Sequence, residues 1–372
     1  MTRPDDTAAW PLTDFAARLP QSVPFVGPET LQRQLGHSLD IRLGANEQRF
    51  GPSPLALAAI GQAAGDIWKY GDPEGYDLRR ALAAKHGCDM AHIVLGEGVD
   101  GLLGLIARLT IAQGDTVVLT QGTYPTFAYH VQGCGGTLHR IPYRQDRSDL
   151  AQLADMAQRQ RAKILYLANP DNPMGLHHSG AQVADFLAQL PQDCLLVLDE
   201  AYIDFAPVGT APVIAPQDPR VIRLRSFSKI YGLAGLRLGY AICAQPLARA
   251  FDLLRNHFGV GLLPQVAGLA ALQDSDHLAR VLAGSVAARA RIGAIAAQHN
   301  LIALPSATNF TCLDLGRGPE AARAAVAGLA QAKIFVRMPS EVPQNRCLRI
   351  SHGTEQDLDA LAQVLPQILA RL

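Results

Sequence analysis

Residues 226–240 read Ser-Phe-Ser-Lys-Ile-Tyr-Gly-Leu-Ala-Gly-Leu-Arg-Leu-Gly-Tyr. The segment sets Lys229 among hydroxyls and places Arg237 eight positions later, with glycines between them. The chain holds five lysines, and the other four, Lys69, Lys85, Lys163 and Lys333, lie in contexts ordinary for solvated side chains. A lysine that attacks a carbonyl needs partial desolvation or a nearby cation, so that its amine is neutral when it reacts. Ser226, Ser228 and Arg237 are groups that would hold a phosphate within reach of that amine. The chemistry implied is a Schiff base between Lys229 and a phosphorylated aldehyde.

Further candidates follow apolar runs that read as strands. Ile93-Val94-Leu95 leads into Gly96-Glu97-Gly98-Val99-Asp100-Gly101, a G-x-G-x-x-G spacing ahead of a helical pattern at Leu102, Leu103, Leu105, Ile106 and Leu109. A dinucleotide site would need an acidic residue closing the next strand, but Thr116–Leu119 is followed by Thr120-Gln121-Gly122. Glycines at a helix start still expose N–H groups to a phosphate, which keeps Gly98, Val99 and Asp100 as candidates. In Asn169-Pro-Asp-Asn-Pro-Met-Gly175, two prolines and a glycine fix a turn that presents Asn172; alone, it reads better as a stiffened turn. Asp199, after Leu195–Leu198, could cap a helix or pair with an arginine. It could also hold a pyridine nitrogen protonated, with Tyr202 donating to a ring oxygen. Singly, each structural reading is the better one. Together, polar groups at three strand ends and Lys229 thirty positions after Asp199 match what pyridoxal phosphate requires.

On these residues the sequence resembles the fold-type I pyridoxal-phosphate-dependent aminotransferases, and most closely the histidinol-phosphate aminotransferase group. The resemblance runs from Leu43-Gly-Ala-Asn-Glu47 and Phe50-Gly-Pro-Ser-Pro54 to Leu348-Arg-Ile-Ser351, and the Ser226–Tyr240 segment is its most specific part. It implies that Lys229 binds the cofactor aldehyde and shuttles a proton, with Asp199 at the ring nitrogen and Asn172 and Tyr202 at the ring oxygen. It also implies that Ser226, Ser228, Arg237 and the helix start at Gly98, Val99 and Asp100 hold the phosphate. It further implies that Tyr124 stacks on the ring and that Tyr70 reaches the cofactor phosphate of a neighbouring subunit, so the chain is expected to be a homodimer. Arg349 is matched to the arginine that grips the substrate carboxylate or its equivalent, Arg337 to a histidinol-phosphate position, and Asn46 to the substrate side. The activity expected is transamination of L-histidinol phosphate or a related amino donor, with 2-oxoglutarate as acceptor. Three departures bear on the substrate. Phe25 stands where the family has a tyrosine, Gly44-Ala-Asn-Glu-Gln-Arg49 replaces the usual Asn-Ala-Asn-Glu-Asn-Pro, and Met174 replaces a threonine.

The elements that must position these groups alternate. Thr116–Leu119, Ile164–Leu167, Leu195–Leu198 and Val221–Leu224 are short, nearly continuous β-favouring runs, as expected for strands buried on both faces of a mostly parallel sheet. Helical stretches between them give an α/β class: a large domain with a helix-flanked sheet plus a smaller α+β domain. The expected division is an arm at 1–45, a cofactor domain at 46–265 and a small domain at 266–372, with later strands at Asn309–Leu313 and Leu348–Ile350. The formal net charge is zero, so no long-range field would recruit nucleic acid or an anionic membrane. Six scattered cysteines without C-x-x-C spacing, a polar N-terminus and no long apolar run suit a reduced, cytoplasmic enzyme without a metal.

Other readings fit less well. An aromatic or broad-range aminotransferase, or a decarboxylase of a phosphorylated amino acid, would share the cofactor residues. Ser226-x-x-Lys229 satisfies a serine acyl-transferase pattern, but no lysine is followed by Thr-Gly. A regulator using this fold as a ligand sensor would need a DNA-binding domain, for which the residues before Asn46 leave no room.

Overall fold

The computed structural model describes residues 11–19 and 26–372. Twelve strands form among them: β1 (Ile41–Arg42), β2 (Ile93–Glu97), β3 (Thr116–Thr120), β4 (Thr137–Ile141), β5 (Ile164–Ala168), β6 (Leu195–Asp199), β7 (Val221–Ser226), β8 (Leu238–Ile242), β9 (Ile302–Ala303), β10 (Phe310–Asp314), β11 (Ile334–Phe335) and β12 (Cys347–Ser351). Seven of them make one sheet in the order β2-β8-β7-β6-β5-β3-β4. Strands β4, β3, β5, β6 and β7 pair in parallel, and β8 runs antiparallel to both β7 and β2.

The continuous apolar runs follow from burial on both faces. Val117, Leu119, Ile164, Tyr166, Val197, Ile222 and Leu224 share one core with the helices Gly98–Thr110, Thr126–Gly133 and Gln245–Asp252. Their neighbours Val118, Leu165, Leu167, Leu196, Leu198 and Val221 point to the other core, with the helices Leu150–Arg159 and Gly180–Gln189. The period-2 alternation thus separates two apolar layers rather than an apolar from a polar face. Two strands of this seven-stranded sheet have no counterpart among the runs read from sequence. β4 is a partly exposed edge strand with His139 and Arg140 in its middle, so it lacks the apolar signature. β8 lies inside the lysine segment, where its residues read as site chemistry instead.

A second sheet, β12-β10-β9, is antiparallel. It shares a core with the helices Ser275–Gln298, Gly318–Gln331 and Glu355–Leu369, through Ile292, Leu313, Leu329, Leu348, Ile350 and Leu361. β1 pairs in parallel with β11, and Leu43 is buried in this same core. Residues just ahead of the large sheet are therefore carried by elements from the far end of the chain. No helix among the described residues is long and apolar enough to cross a membrane.

One buried ion cluster locks the strand ends. Glu200, 1% exposed, accepts from Arg223 (Nε and Nη2, both 3.0 Å) and from Arg225 Nε (2.7 Å). The contact ties the end of β6, which carries Asp199, to β7, which leads to Lys229. Removing one partner leaves buried charge uncompensated, at a cost of about 3–5 kcal/mol. Glu200→Ala is expected to lower the unfolding free energy of the cofactor-free protein by that amount, read in urea as a lower midpoint at an unchanged slope.

Candidate active site

The parallel strands end together, and the groups singled out from sequence sit just beyond them. Ala168 is in register with Asp199, and Asp199 with Leu224, so the Asn169–Gly175 turn, the acid and the lysine segment lie side by side. Asp199 is buried; its Oδ2 accepts from Tyr166 Oη at 2.8 Å and its Oδ1 from the Ala201 N–H at 3.0 Å. No ion pair among the described residues compensates it. Burial pushes its pKa up to about 6, against the pull of those two hydrogen bonds.

Lys229 Nζ donates to the Asn46 carbonyl at 3.3 Å and lies 5.3 Å from the centre of the Tyr202 ring. The Tyr202 hydroxyl accepts from Asn46 Nδ2 at 2.9 Å, and its ring meets Phe310 edge-on at 5.4 Å. Phe310 in turn carries the Arg349 guanidinium, 5.4 Å from its centroid. Arg349 donates to Asn172 Oδ1 (2.7 Å) and the Gly44 carbonyl (3.0 Å), while its buried Nε has no partner. Arg337 lies opposite Arg349 across an antiparallel bridge and donates to the Val26 carbonyl at 2.8 Å. Burial, and for Arg337 also the neighbouring Arg349, lowers the pKa of both guanidinium groups.

A second cluster forms at the start of the Gly98–Thr110 helix. Arg237 donates to Ser228 Oγ at 3.3 Å and lies 3.5 Å from the Asp100 carboxylate, which accepts from Tyr124 Oη at 2.8 Å. Ser226 Oγ accepts from the Ser228 N–H at 3.0 Å. No side chain caps the helix start. Two glycines allow the approach. A Cβ on Gly98, whose φ is +72°, would meet Arg237 Nη2 at 2.5 Å, and one on Gly239 would meet the Gly98–Val99 peptide at 2.8–2.9 Å. Helix dipole, guanidinium and hydroxyls thus converge on one point suited to a dianion.

A family model, aminotransferase class I and II, matches residues 40–365. The chain belongs to the class I and II aminotransferases. It is 34% identical to a histidinol-phosphate aminotransferase of Moorella thermoacetica over 346 residues, 92% of this chain and 89% of that one. It is also 34% identical to the Roseiflexus castenholzii histidinol-phosphate aminotransferase, covering 95% of this chain and 97% of that one. The histidinol-phosphate aminotransferase of Sinorhizobium meliloti, crystallised with pyridoxal 5'-phosphate, superposes with a TM-score of 0.94 at 48% identity, over 97% of this chain and 98% of that one.

As a member of this family the protein is a pyridoxal-phosphate-dependent enzyme that takes an amino donor and a keto acid, and its own residues fit that cofactor. Asp199 is a buried carboxylate without a cation, as a protonated ring nitrogen would require. The Gly98–Arg237 cluster suits the phosphate. The amide nitrogen of Asn172 makes no hydrogen bond among the described residues, so it remains free to donate.

Other expected residues fall differently. Tyr70 is 80% exposed, its ring 4.6 Å from that of Phe258, and it joins no cluster described above. Phe25 lies outside the described residues. Met174, a departure noted for substrate choice, is fully buried with Cys312 and Cys347, so its side chain offers no surface to a ligand. Lys85 is not an ordinary solvated lysine. Its amine contacts Tyr231 Oη, and burial lowers its pKa.

Sequence reasoning missed Tyr166, Asp171 and Tyr143. Tyr166 was read only as part of a strand, although a phenol inside a doubly buried run needs a polar partner and so announces one. Asp171 sits in the turn beside Asn172, 3% exposed, and accepts from Tyr143 Oη (3.0 Å) and the Met174 N–H (3.0 Å). Burial pushes its pKa up to about 7. A raised carboxyl pKa means the folded state holds the proton more tightly, so stability falls as pH rises from about 4 to about 7. Asp171→Asn is expected to remove part of that fall. In thermal melts of the cofactor-free protein it should gain about 1–2 kcal/mol on wild type at pH 8, and little at pH 5.

Proposed function

We propose that the protein transaminates L-histidinol phosphate, or a closely related phosphorylated amino donor, with 2-oxoglutarate as acceptor. The observation that carries this reading is the pair Arg337 and Arg349. Directly opposed residues on antiparallel strands point to the same face, so two guanidinium groups are held side by side. Such a pair suits a doubly charged anion more than an apolar or aromatic side chain. The names carried by the relatives agree with it.

When bound, pyridoxal phosphate supplies an aldehyde that captures the donor's amino group and a ring that accepts an electron pair. The chain supplies the rest. Lys229 carries the cofactor between turnovers and, once released, removes the proton from the carbon bearing the amino group and returns it elsewhere. Asp199 holds a proton on the ring nitrogen; pairing with that cation offsets the burial that now raises its own pKa. Tyr202 and Asn172 donate to the ring oxygen. Ser226, Ser228, Arg237 and the N–H groups from Gly98 to Asp100 anchor the phosphate, and Tyr124 supports the ring face. Arg349 orients the substrate's anionic group, with Arg337 beside it.

Exposed Ile67, Trp68 and Tyr70 form an apolar run that suits contact with a second copy of the chain, where Tyr70 would serve the partner's phosphate. All six cysteines are free, as suits a cytoplasmic enzyme.

In assays with L-histidinol phosphate and 2-oxoglutarate, Lys229→Ala is expected to lower kcat by at least a thousandfold while retaining cofactor phosphate binding. Arg337→Ala should raise KM for L-histidinol phosphate about tenfold, the worth of one charge-assisted hydrogen bond. Turnover of L-phenylalanine in place of L-histidinol phosphate would overturn the substrate assignment.

A further inference from the structure

Asn46, placed from sequence on the substrate side, is held by a full set of contacts within the protein. It is 2% exposed and sits at φ +55°, a left-handed conformation that a residue other than glycine adopts only under local constraint. Every polar group it owns is used. Its N–H donates to Ser351 Oγ at 3.0 Å, and its carbonyl accepts from Asn309 Nδ2 at 3.0 Å and Lys229 Nζ at 3.3 Å. Its Nδ2 donates to the Tyr202 hydroxyl at 2.9 Å, and its Oδ1 faces Ser351 Oγ at 3.5 Å.

The orientation of that amide has a consequence for Tyr202. Ser351 Oγ accepts from the Asn46 N–H and donates its own hydrogen to Oδ1, and Nδ2 is the amide atom turned to the tyrosine. An amide NH₂ only donates. The Tyr202 oxygen must therefore accept from Asn46, and its own hydrogen is turned away from it. Tyr202 is left as a donor of fixed direction.

We propose that Asn46 is a positioning residue that acts through Tyr202, fixing the phenol hydrogen toward the cofactor's ring oxygen. The inference rests on the transaminase reading of the site and adds to it a role for Asn46 exerted through Tyr202. A hydrogen bond donated to the ring oxygen drains charge from it and favours the deprotonated form of the lysine–cofactor link. Losing the fixed donor therefore raises the pH midpoint of the bound cofactor's visible absorbance.

The test is a double-variant cycle read on that midpoint by spectrophotometric titration of the holoenzyme. Asn46→Gly keeps the left-handed backbone and deletes only the amide. It is expected to raise the midpoint by about one pH unit, the size of one charge-assisted hydrogen bond. In a Tyr202→Phe background the same change should shift it by less than a quarter of that. Ser351→Ala, which frees the amide to turn over, should give a smaller shift of the same sign, also lost in Tyr202→Phe, and serves if Asn46→Gly does not fold. An unchanged midpoint in both variants, or a shift that survives in Tyr202→Phe, overturns the proposal. If wild type loaded with pyridoxal phosphate shows no lysine-dependent visible band, the reading of the site itself has failed, and the positioning role falls with it.

Discussion

Asp199 is the constraint on which the rest of the site depends. A carboxylate buried without a cation is costly, and two hydrogen bonds, from Tyr166 and the Ala201 N–H, do not supply a positive charge. The sheet tolerates it because the neighbouring acid, Glu200, faces the other way and takes both Arg223 and Arg225. Consecutive residues on an extended strand point to opposite faces, so one acid is fully paired and the next is left wanting a cation. The pairing of Glu200 also holds β6 against β7, which fixes where the lysine segment begins. Stability is concentrated in one acid and binding capacity in the other.

The second constraint is that the site is closed by chain from elsewhere. The turn after β1 brings Gly44 to Arg349 and Asn46 to Lys229 and Tyr202, and β1 is itself held by β11. Arg349 and Ser351 come from β12 in the three-stranded sheet. The large sheet thus supplies Asp199 and leads to Lys229, while the smaller sheet and the turn before residue 50 supply Arg349, Ser351 and Asn46. We propose that the division into an arm, a large unit and a small unit follows this distribution of labour, with the arm belonging to the small unit.

Legibility in the sequence tracked burial pattern and residue type. The strands β3, β5, β6 and β7 were readable because both faces are buried and the runs are continuous; β4 was not, because an edge strand carries polar residues in its middle. Lys229, Asp199 and Asn172 stood out because each follows an apolar run, and Arg237 because it shares the lysine segment; the fold brings the strand ends that carry them together. Tyr166 and Asp171 were hidden for opposite reasons. Tyr166 looks apolar in a run of leucines, whereas Asp171 looks like an exposed turn acid until the fold buries it. Asn46 was noticed, but its role depends on contacts with Tyr202, 156 residues away, and Ser351, 305 residues away, which no local pattern encodes.

The two arginines show how like charges can be made to wait for a ligand. Side by side in a half-buried site, Arg337 and Arg349 repel, and both pay in desolvation, as the downward pull on their pKa values records. Arg349 is held by the neutral oxygens of Asn172 and Gly44, and Arg337 donates to the carbonyl of Val26. Neutral acceptors such as these fix a guanidinium's direction without cancelling its charge. Met174 cannot adjust that field, since it is sealed beneath the turn with Cys312 and Cys347. Arg337 is in turn tied to the chain that runs from Val26 into the helix Pro28–Leu35, so the position of its guanidinium depends on how that segment is held.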